Sequence, residues 1–111
     1  MLVPPSRDLA HKLSVRLNRI VQETTWLPGA TISVIPMSPG VQAVLRLPCV
    51  NFKPASKGSI QESVVPTPVA RNYGGTPQAT HRLVRRILNT APELKDIVVY
   101  DALGQHRRFA R

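Results

Sequence analysis

The first thirty residues carry apolar side chains at the spacing of an α-helix. Five aliphatic residues recur at intervals of four, four, three and one, which places them on one helical face. Serine is a favoured N-cap residue, so Ser6 predicts the start of this helix, and the β-branched pair at 24–25 predicts its end. The apolar stripe consists of Leu9, Leu13, Leu17, Ile20 and Val21.

The two segments that follow alternate apolar and polar residues with the period of a β-strand. They span residues 30–35 (ATISVI) and 41–47 (VQAVLRL), and the turn residues Pro39 and Gly40 lie between them. This arrangement predicts an antiparallel hairpin. In its second strand we expect one face to carry Val41, Ala43, Leu45 and Leu47, and the other face to carry Gln42, Val44 and Arg46.

Residues 48–76 interrupt these patterns. They contain four prolines and the glycine pair at 74–75. We predict a long proline-rich loop or insert, with a short edge strand at 59–65. Loops of this length in compact domains are usually functional or disordered.

Helix and strand signals return after this segment. Thr76 suits a helix N-cap and Pro77 the first turn, while Ala91-Pro92 predicts the helix end. Segments 96–101 (DIVVYD) and 105–110 (QHRRFA) predict a second hairpin, with Gly104 at a left-handed turn position. The apolar stripe of the second helix consists of Ala79, Leu83, Val84, Ile87 and Leu88.

The order helix, strand, strand, loop, helix, strand, strand predicts a single α+β domain over residues 1–111. We expect a two-layer sandwich, in which an antiparallel sheet of about four strands carries both helices on one face and leaves the other face to be covered or used for binding. The pattern Arg-Leu-x-Arg occurs at 16–19 and again at 82–85, which raises the hypothesis of an internal duplication.

Charge is the part of the composition that bears most on function. Fifteen Lys and Arg residues against six Asp and Glu give a net charge of +9. Three of the cations, Arg82, Arg85 and Arg86, follow each other at helical spacings where like charges repel. A small domain this basic implies an anionic companion. We therefore predict binding to nucleic acid, either RNA or DNA, or to an acidic protein partner.

The candidate nucleic-acid-binding residues are the basic side chains of both helices, of the loop and of the last strand. Arginine suits bidentate contacts with phosphate, and such contacts position a protein without reading base sequence. The loop tyrosine is the candidate for stacking on an unpaired base. The full set is Lys12, Arg16, Arg19, Arg71, Tyr73, His81, Arg82, Arg85, Arg86, Arg107 and Arg108.

No motif in the sequence indicates a cofactor or a metal ion. The single cysteine, Cys49, excludes an internal disulfide and a zinc site built on several thiolates, and we expect it to be a small buried thiol. One alternative function is a toxin-type ribonuclease, in which His81 and His106 meet across the sheet and act as acid and base. Because no paired carboxylate supports catalysis, we expect a non-enzymatic binding protein instead.

A second alternative is an accessory or assembly subunit of a viral or ribonucleoprotein particle. In that case the arginines and residues 48–76 bind protein neighbours, and the chain forms homo-oligomers or co-purifies with a partner. No apolar run approaches the roughly 20 residues that a membrane-spanning helix requires. The N-terminus also lacks the apolar run of a signal peptide. We expect a cytoplasmic protein without a membrane partner.

Overall fold

The computed structural model describes residues 4–52 and 77–111, and it confirms the α+β class. Two helices and four strands follow each other in the predicted order, helix-strand-strand and then helix-strand-strand again. The predicted edge strand at 59–65, the N-cap Thr76 and the rest of the proline-rich segment from residue 53 onward lie outside the described residues. The elements are α1 (Pro4–Glu23), β1 (Thr31–Pro36), β2 (Val41–Arg46), α2 (Pro77–Thr90), β3 (Asp96–Tyr100) and β4 (His106–Ala110).

The four strands form one sheet in the order β1-β2-β3-β4. Both predicted hairpins are antiparallel. The expectation of a wholly antiparallel sheet is wrong, because β2 and β3 pair in parallel, with Ala43 opposite Ile97 and Leu45 opposite Val99. The chain leaves β2 at one end of the sheet and, after α2, enters β3 at the end where β2 began, so the two strands run in the same direction.

Both helices pack on one face of this sheet, as the two-layer prediction requires. The apolar stripes of α1 and α2 join the helix-facing strand residues in a single core. In β2 the predicted alternation is confirmed, since Ala43, Leu45 and Leu47 are fully buried beneath the helices. The largest fully buried side chains are Leu13, Leu17, Leu27, Leu45, Leu47, Leu83, Ile87, Leu94 and Ile97.

The register of β4 decides which of its side chains face the helices. Phe109 pairs with Ile97 and Arg107 with Val99, and both partners lie in the core beneath the helices. Arg108 pairs with Val98 and therefore points to the opposite face. The last strand thus divides its cations between the two faces of the sheet.

A buried aspartate fixes the connection between β3 and β4. The carboxylate of Asp101 accepts hydrogen bonds from the backbone N–H groups of Phe52, Leu103 and Gln105, each at 2.9 Å. The predicted turn glycine, Gly104, has a φ of +82°, in the left-handed region. Because one of the three donors is Phe52, Asp101 also holds the segment after β2 against this turn.

The first helix begins earlier than its capping signal indicates. It starts at Pro4, so Ser6 lies within the helix and the prediction that it is the N-cap is wrong. The Ser6 hydroxyl instead accepts a hydrogen bond from the backbone N–H of Gly40, at 3.2 Å. This contact joins the first helix to the β1–β2 turn, where Gly40 has a φ of +92°.

Candidate nucleic-acid interface

Two ion pairs join the polar flanks of the helices. Arg16 of α1 lies 3.5 Å from the Glu93 carboxylate just beyond α2, and Arg86 of α2 lies 3.1 Å from the Glu23 carboxylate at the end of α1. The pairs show that the two helices run antiparallel, with their polar flanks side by side. All four side chains are at least one-third exposed, so each pair contributes about 0.2–1 kcal/mol at most.

A third contact continues this junction between the helices. The Arg82 guanidinium lies over the Trp26 ring, 5.3 Å from its centroid, in a cation–π contact. On α1, Lys12 and Arg19 are exposed on the same helical stripe as Arg16. We call this region the helix-pair surface, defined by Lys12, Arg16, Arg19, Arg82 and Arg86.

The other flank of α2 faces the edge strand β4 across a groove of about 500 Å³. Within the described residues no carboxylate lies within ion-pairing distance of Arg85 in this groove. The guanidinium of Arg111 donates hydrogen bonds to the carbonyl oxygens of Ala91 at 2.7 Å and Leu94 at 2.8 Å. These oxygens carry no net charge, so the bonds do not offset the positive charge of Arg111 as a carboxylate would. We call this the α2–β4 groove; its lining consists of His81, Val84, Arg85, Leu88, Asn89, Arg108, Phe109, Ala110 and Arg111.

A smaller pocket of about 40 Å³ lies beside the first turn of α2 and shares His81 with the groove. The His81 ring meets the Phe109 ring edge-on, with 5.2 Å between centroids. The Arg107 guanidinium lies 4.8 Å from the centroid of the Phe52 ring and donates to the Phe52 carbonyl oxygen at 3.2 Å. We call this the first-turn pocket; its lining consists of Val50, Asn51, Phe52, Thr80, His81, Arg107 and Phe109.

The remaining predicted cation of β4, Arg108, also lines the groove, but it already has an acidic partner. Its guanidinium is directed to the face of the sheet away from the helices, called the open face here, where it pairs with the Asp96 carboxylate at 3.0 Å and contacts the Gln42 side-chain oxygen at 3.3 Å. The charge of Arg108 is therefore offset within the described residues, whereas that of Arg85 is not. The alternation of side chains along β4 sends Arg107 and Arg108 to opposite faces.

The alternation along β4 also separates the two histidines of the ribonuclease hypothesis, His81 and His106. His106 packs against Tyr100 on the open face, with 5.3 Å between ring centroids, while the Arg46 guanidinium lies 4.7 Å from the Tyr100 ring centroid. His81 lies on the helix-facing side, against Phe109. The hypothesis that His81 and His106 meet in one catalytic site is therefore wrong.

Cys49 is a buried thiol, as expected from the sequence. It is 1% exposed. Burial raises the pKa of the thiol above its usual value, and a backbone hydrogen bond offsets part of that rise. A thiol that stays protonated is a poor nucleophile. The residue is therefore part of the core.

The sequence analysis named most of the basic side chains on these surfaces as candidates, but it named neither Arg111 nor the groups around them. Arg71 and Tyr73 lie outside the described residues. Phe52, Thr80 and Phe109 line the first-turn pocket, and none of them was a candidate binding residue. Thr80 falls at a core position of α2, and Phe52 follows β2 without a periodic pattern, so only the folded chain brings them together.

Comparison with known proteins gives no further guide, because no family model, curated protein or solved structure matches the chain. In the described part of the chain, no three His, Cys, Asp or Glu side chains are grouped so that they could hold a metal ion. Neither helix there has the length and apolar character needed to cross a bilayer. The argument for function therefore depends on the geometry of the basic surfaces.

Proposed function

We propose that this protein binds nucleic acid, RNA or DNA, through the α2–β4 groove and the adjoining helix-pair surface. The observation that supports the proposal is that the groove and the first-turn pocket include three cations, Arg85, Arg107 and Arg111, besides the paired Arg108. Within the described residues no carboxylate lies within ion-pairing distance of any of the three. Phosphate groups are anions that arginine binds through paired, charge-assisted hydrogen bonds.

The carboxylates of the described residues are engaged elsewhere, which supports this assignment. Glu23 and Glu93 pair with cations of the helix-pair surface, and Asp96 pairs with Arg108 on the open face. Asp101 is buried among backbone donors. Asp8 lies on α1, away from the groove lining. The groove therefore needs an anion from outside these residues to neutralise it.

Contacts of this kind bind the nucleic-acid backbone. They supply affinity that depends on salt and do not discriminate between base sequences. We expect the helix-pair surface to add weaker attraction, because Glu23 and Glu93 already offset part of its charge. The α2–β4 groove is accordingly the centre of the proposed interface.

The distribution of exposed apolar side chains supports nucleic acid over a protein neighbour. The large exposed ones among the described residues are Val15, Ile35, Met37 and Leu103. Val15 lies on α1, while the other three lie at the two hairpins. Since β2 and β3 are parallel, the β1–β2 and β3–β4 turns are at opposite ends of the sheet. These side chains therefore do not form one patch of the kind that a stable protein interface requires.

The test is a fluorescence-anisotropy titration of mixed-sequence oligonucleotides, single- and double-stranded, at increasing salt. If Arg85, Arg107 and Arg111 each meet one phosphate, the logarithm of affinity should fall with the logarithm of salt at a slope of roughly −2 to −3. Changing Arg85 and Arg107 together to Gln should weaken binding more than changing Arg16 and Arg86 to Gln, which removes the same charge.

Absence of binding at low salt would remove the proposal. Size-exclusion chromatography with light scattering checks the alternative of an assembly subunit. A stable oligomer or a co-purifying acidic protein, together with no oligonucleotide binding, would favour that alternative instead.

A further inference from the structure

The first-turn pocket contains a buried hydroxyl group without a hydrogen-bond partner. Thr80 is 1% exposed, and its Oγ1 atom has no partner among the residues that the structure describes. Burying an unpartnered hydroxyl costs free energy, so nearly all such groups in folded proteins are satisfied. A group of this kind in the wall of a pocket indicates that the pocket takes a polar ligand.

The polar groups that share the pocket with Thr80 favour an anion. Among the described residues, the lining includes Arg107, His81 and Asn51 and no acidic residue. The pocket also lies beside the first turn of α2, which contains no acidic residue. The N-terminal end of a helix carries partial positive charge and attracts anions.

The size of the pocket restricts the choice of anion. Its volume of about 40 Å³ is several times what one water molecule needs, and its lining includes the rings of Phe52 and Phe109, whose centroids are 6.4 Å apart. A small oxyanion suits a pocket of this volume better than a nucleobase, which is a larger group. The apolar rings also lower the local dielectric, which strengthens hydrogen bonds to a charged oxygen.

We propose that the first-turn pocket binds a phosphoryl group, with the Thr80 hydroxyl, the Arg107 guanidinium and the His81 ring donating to its oxygens. This second proposal names a chemical group of the ligand for the proposed function. It rests on that function, because His81 belongs to both the pocket and the α2–β4 groove. A strand bound along the groove would then place its terminal phosphate in the pocket. Free inorganic phosphate has the same oxygens and charge and is the other source of a phosphoryl group for the pocket.

The first experiment titrates the folded protein with inorganic phosphate at constant ionic strength and follows backbone amides by NMR. Saturable shifts are expected at residues 80, 81 and 107. They should be lost in Thr80→Val, which keeps the shape of the side chain and removes the hydroxyl, and retained in Thr80→Ser. Chloride at the same ionic strength is the control. Absence of saturation, or equal shifts in Thr80→Val, would overturn the phosphate site.

The second experiment distinguishes the two sources. It compares oligonucleotides of one sequence that carry a 5′-phosphate, a 3′-phosphate or only hydroxyl ends. A preference of about tenfold for one phosphorylated end is expected, the size of one charge-assisted hydrogen bond. The preference should disappear in Thr80→Val. Saturation by inorganic phosphate without a preference for either end would assign the pocket to free phosphate.

The two proposals can fail separately in these experiments. Equal binding of all oligonucleotides, with no inorganic-phosphate site, would overturn the pocket and leave nucleic-acid binding intact. An inorganic-phosphate site that depends on Thr80, with no oligonucleotide binding at low salt, would establish the pocket and remove nucleic-acid binding.

Discussion

The two flanks of α2 have the same kind of side chain but opposite surroundings. Arg86 faces α1, where the Glu23 carboxylate lies 3.1 Å away. Its neighbour in sequence, Arg85, faces β4, and in the described part of the chain no carboxylate approaches it. Arg82 lies three and four positions before them, and like charges at those helical spacings repel. The fold relieves that repulsion on one flank and leaves the other to be neutralised from outside.

The cause lies in what each neighbouring element supplies. α1 and the residues after it provide an acid, Glu23, and an aromatic ring, Trp26, for the arginines on their side. The end of the chain provides two further cations, Arg107 and Arg111, on the other side. Cations that lie together on one surface repel one another, and together they attract phosphate strongly. The asymmetry of α2 is therefore the physical basis of the proposed interface.

The largest effect is expected from reversing the charge of Arg85. Arg85→Glu should weaken oligonucleotide binding by about 2 kcal/mol, a roughly thirtyfold loss, because it removes a charge-assisted hydrogen bond and adds a repulsion. The salt slope should become shallower by about one unit. Anisotropy titrations at two salt concentrations measure both quantities.

Arg7→Glu is the matched control for this reversal. Arg7 is exposed on α1 and lies outside the groove lining, and its replacement changes the net charge by the same amount. A loss in Arg7→Glu as large as that in Arg85→Glu would mean that net charge, and not the groove, controls binding. The difference between the two flanks would then have no functional meaning.

Local patterns in the sequence were enough to predict most of the fold. The apolar stripes of α1 and α2 and the alternation in β2 depend only on which residues share a face, and all are found as predicted. The parallel pairing of β2 with β3 depends on the path of the chain between them, which no local pattern records. The Ser6 hydroxyl was assigned to the wrong partner for a similar reason, since Gly40 approaches it only in the folded chain.

The site was less predictable than the fold. That Arg85 and Arg86 are exposed follows from their place on the helix, but which of them meets an acid depends on how α1 packs against α2. Thr80 has the spacing of a core residue, and its lack of a hydrogen-bond partner can be seen only in three dimensions. Charge in the sequence therefore leads only to the proposal of an anionic ligand, and tertiary packing decides which residues are placed to meet one.

Thr80→Val should produce the next largest effect, this time on stability. Replacing an unpartnered buried hydroxyl with a methyl group of similar shape should raise the free energy of unfolding by about 1 kcal/mol. Urea denaturation without phosphate measures this change. Destabilisation by the substitution would show that the hydroxyl has a partner in solution, and the phosphoryl pocket would lose its main support.

A smaller effect is expected when Glu23, the acid that pairs with Arg86, is neutralised. Glu23→Gln leaves Arg86 without its carboxylate, so the two flanks of α2 become alike. Oligonucleotide affinity should rise by roughly threefold and the salt slope should steepen by up to about one unit, as one more arginine becomes available to phosphate. Asp8→Asn makes the same change in charge at an exposed position of α1 and is the control. An unchanged affinity in Glu23→Gln would mean that Arg86 takes no part in binding and that the interface is limited to the groove.

The smallest effect concerns the ion pair that distinguishes the two flanks. A double-mutant cycle with Glu23→Gln and Arg86→Gln should give a coupling of about 0.5 kcal/mol in the free energy of unfolding, as expected for an exposed pair, and the coupling should decrease at high salt. The same cycle with Arg85→Gln in place of Arg86→Gln should give no coupling, because Arg85 is on the other flank. Equal coupling of Glu23 to both arginines would mean that its carboxylate neutralises the whole helix surface, and Arg85 would then have no excess charge to offer a phosphate.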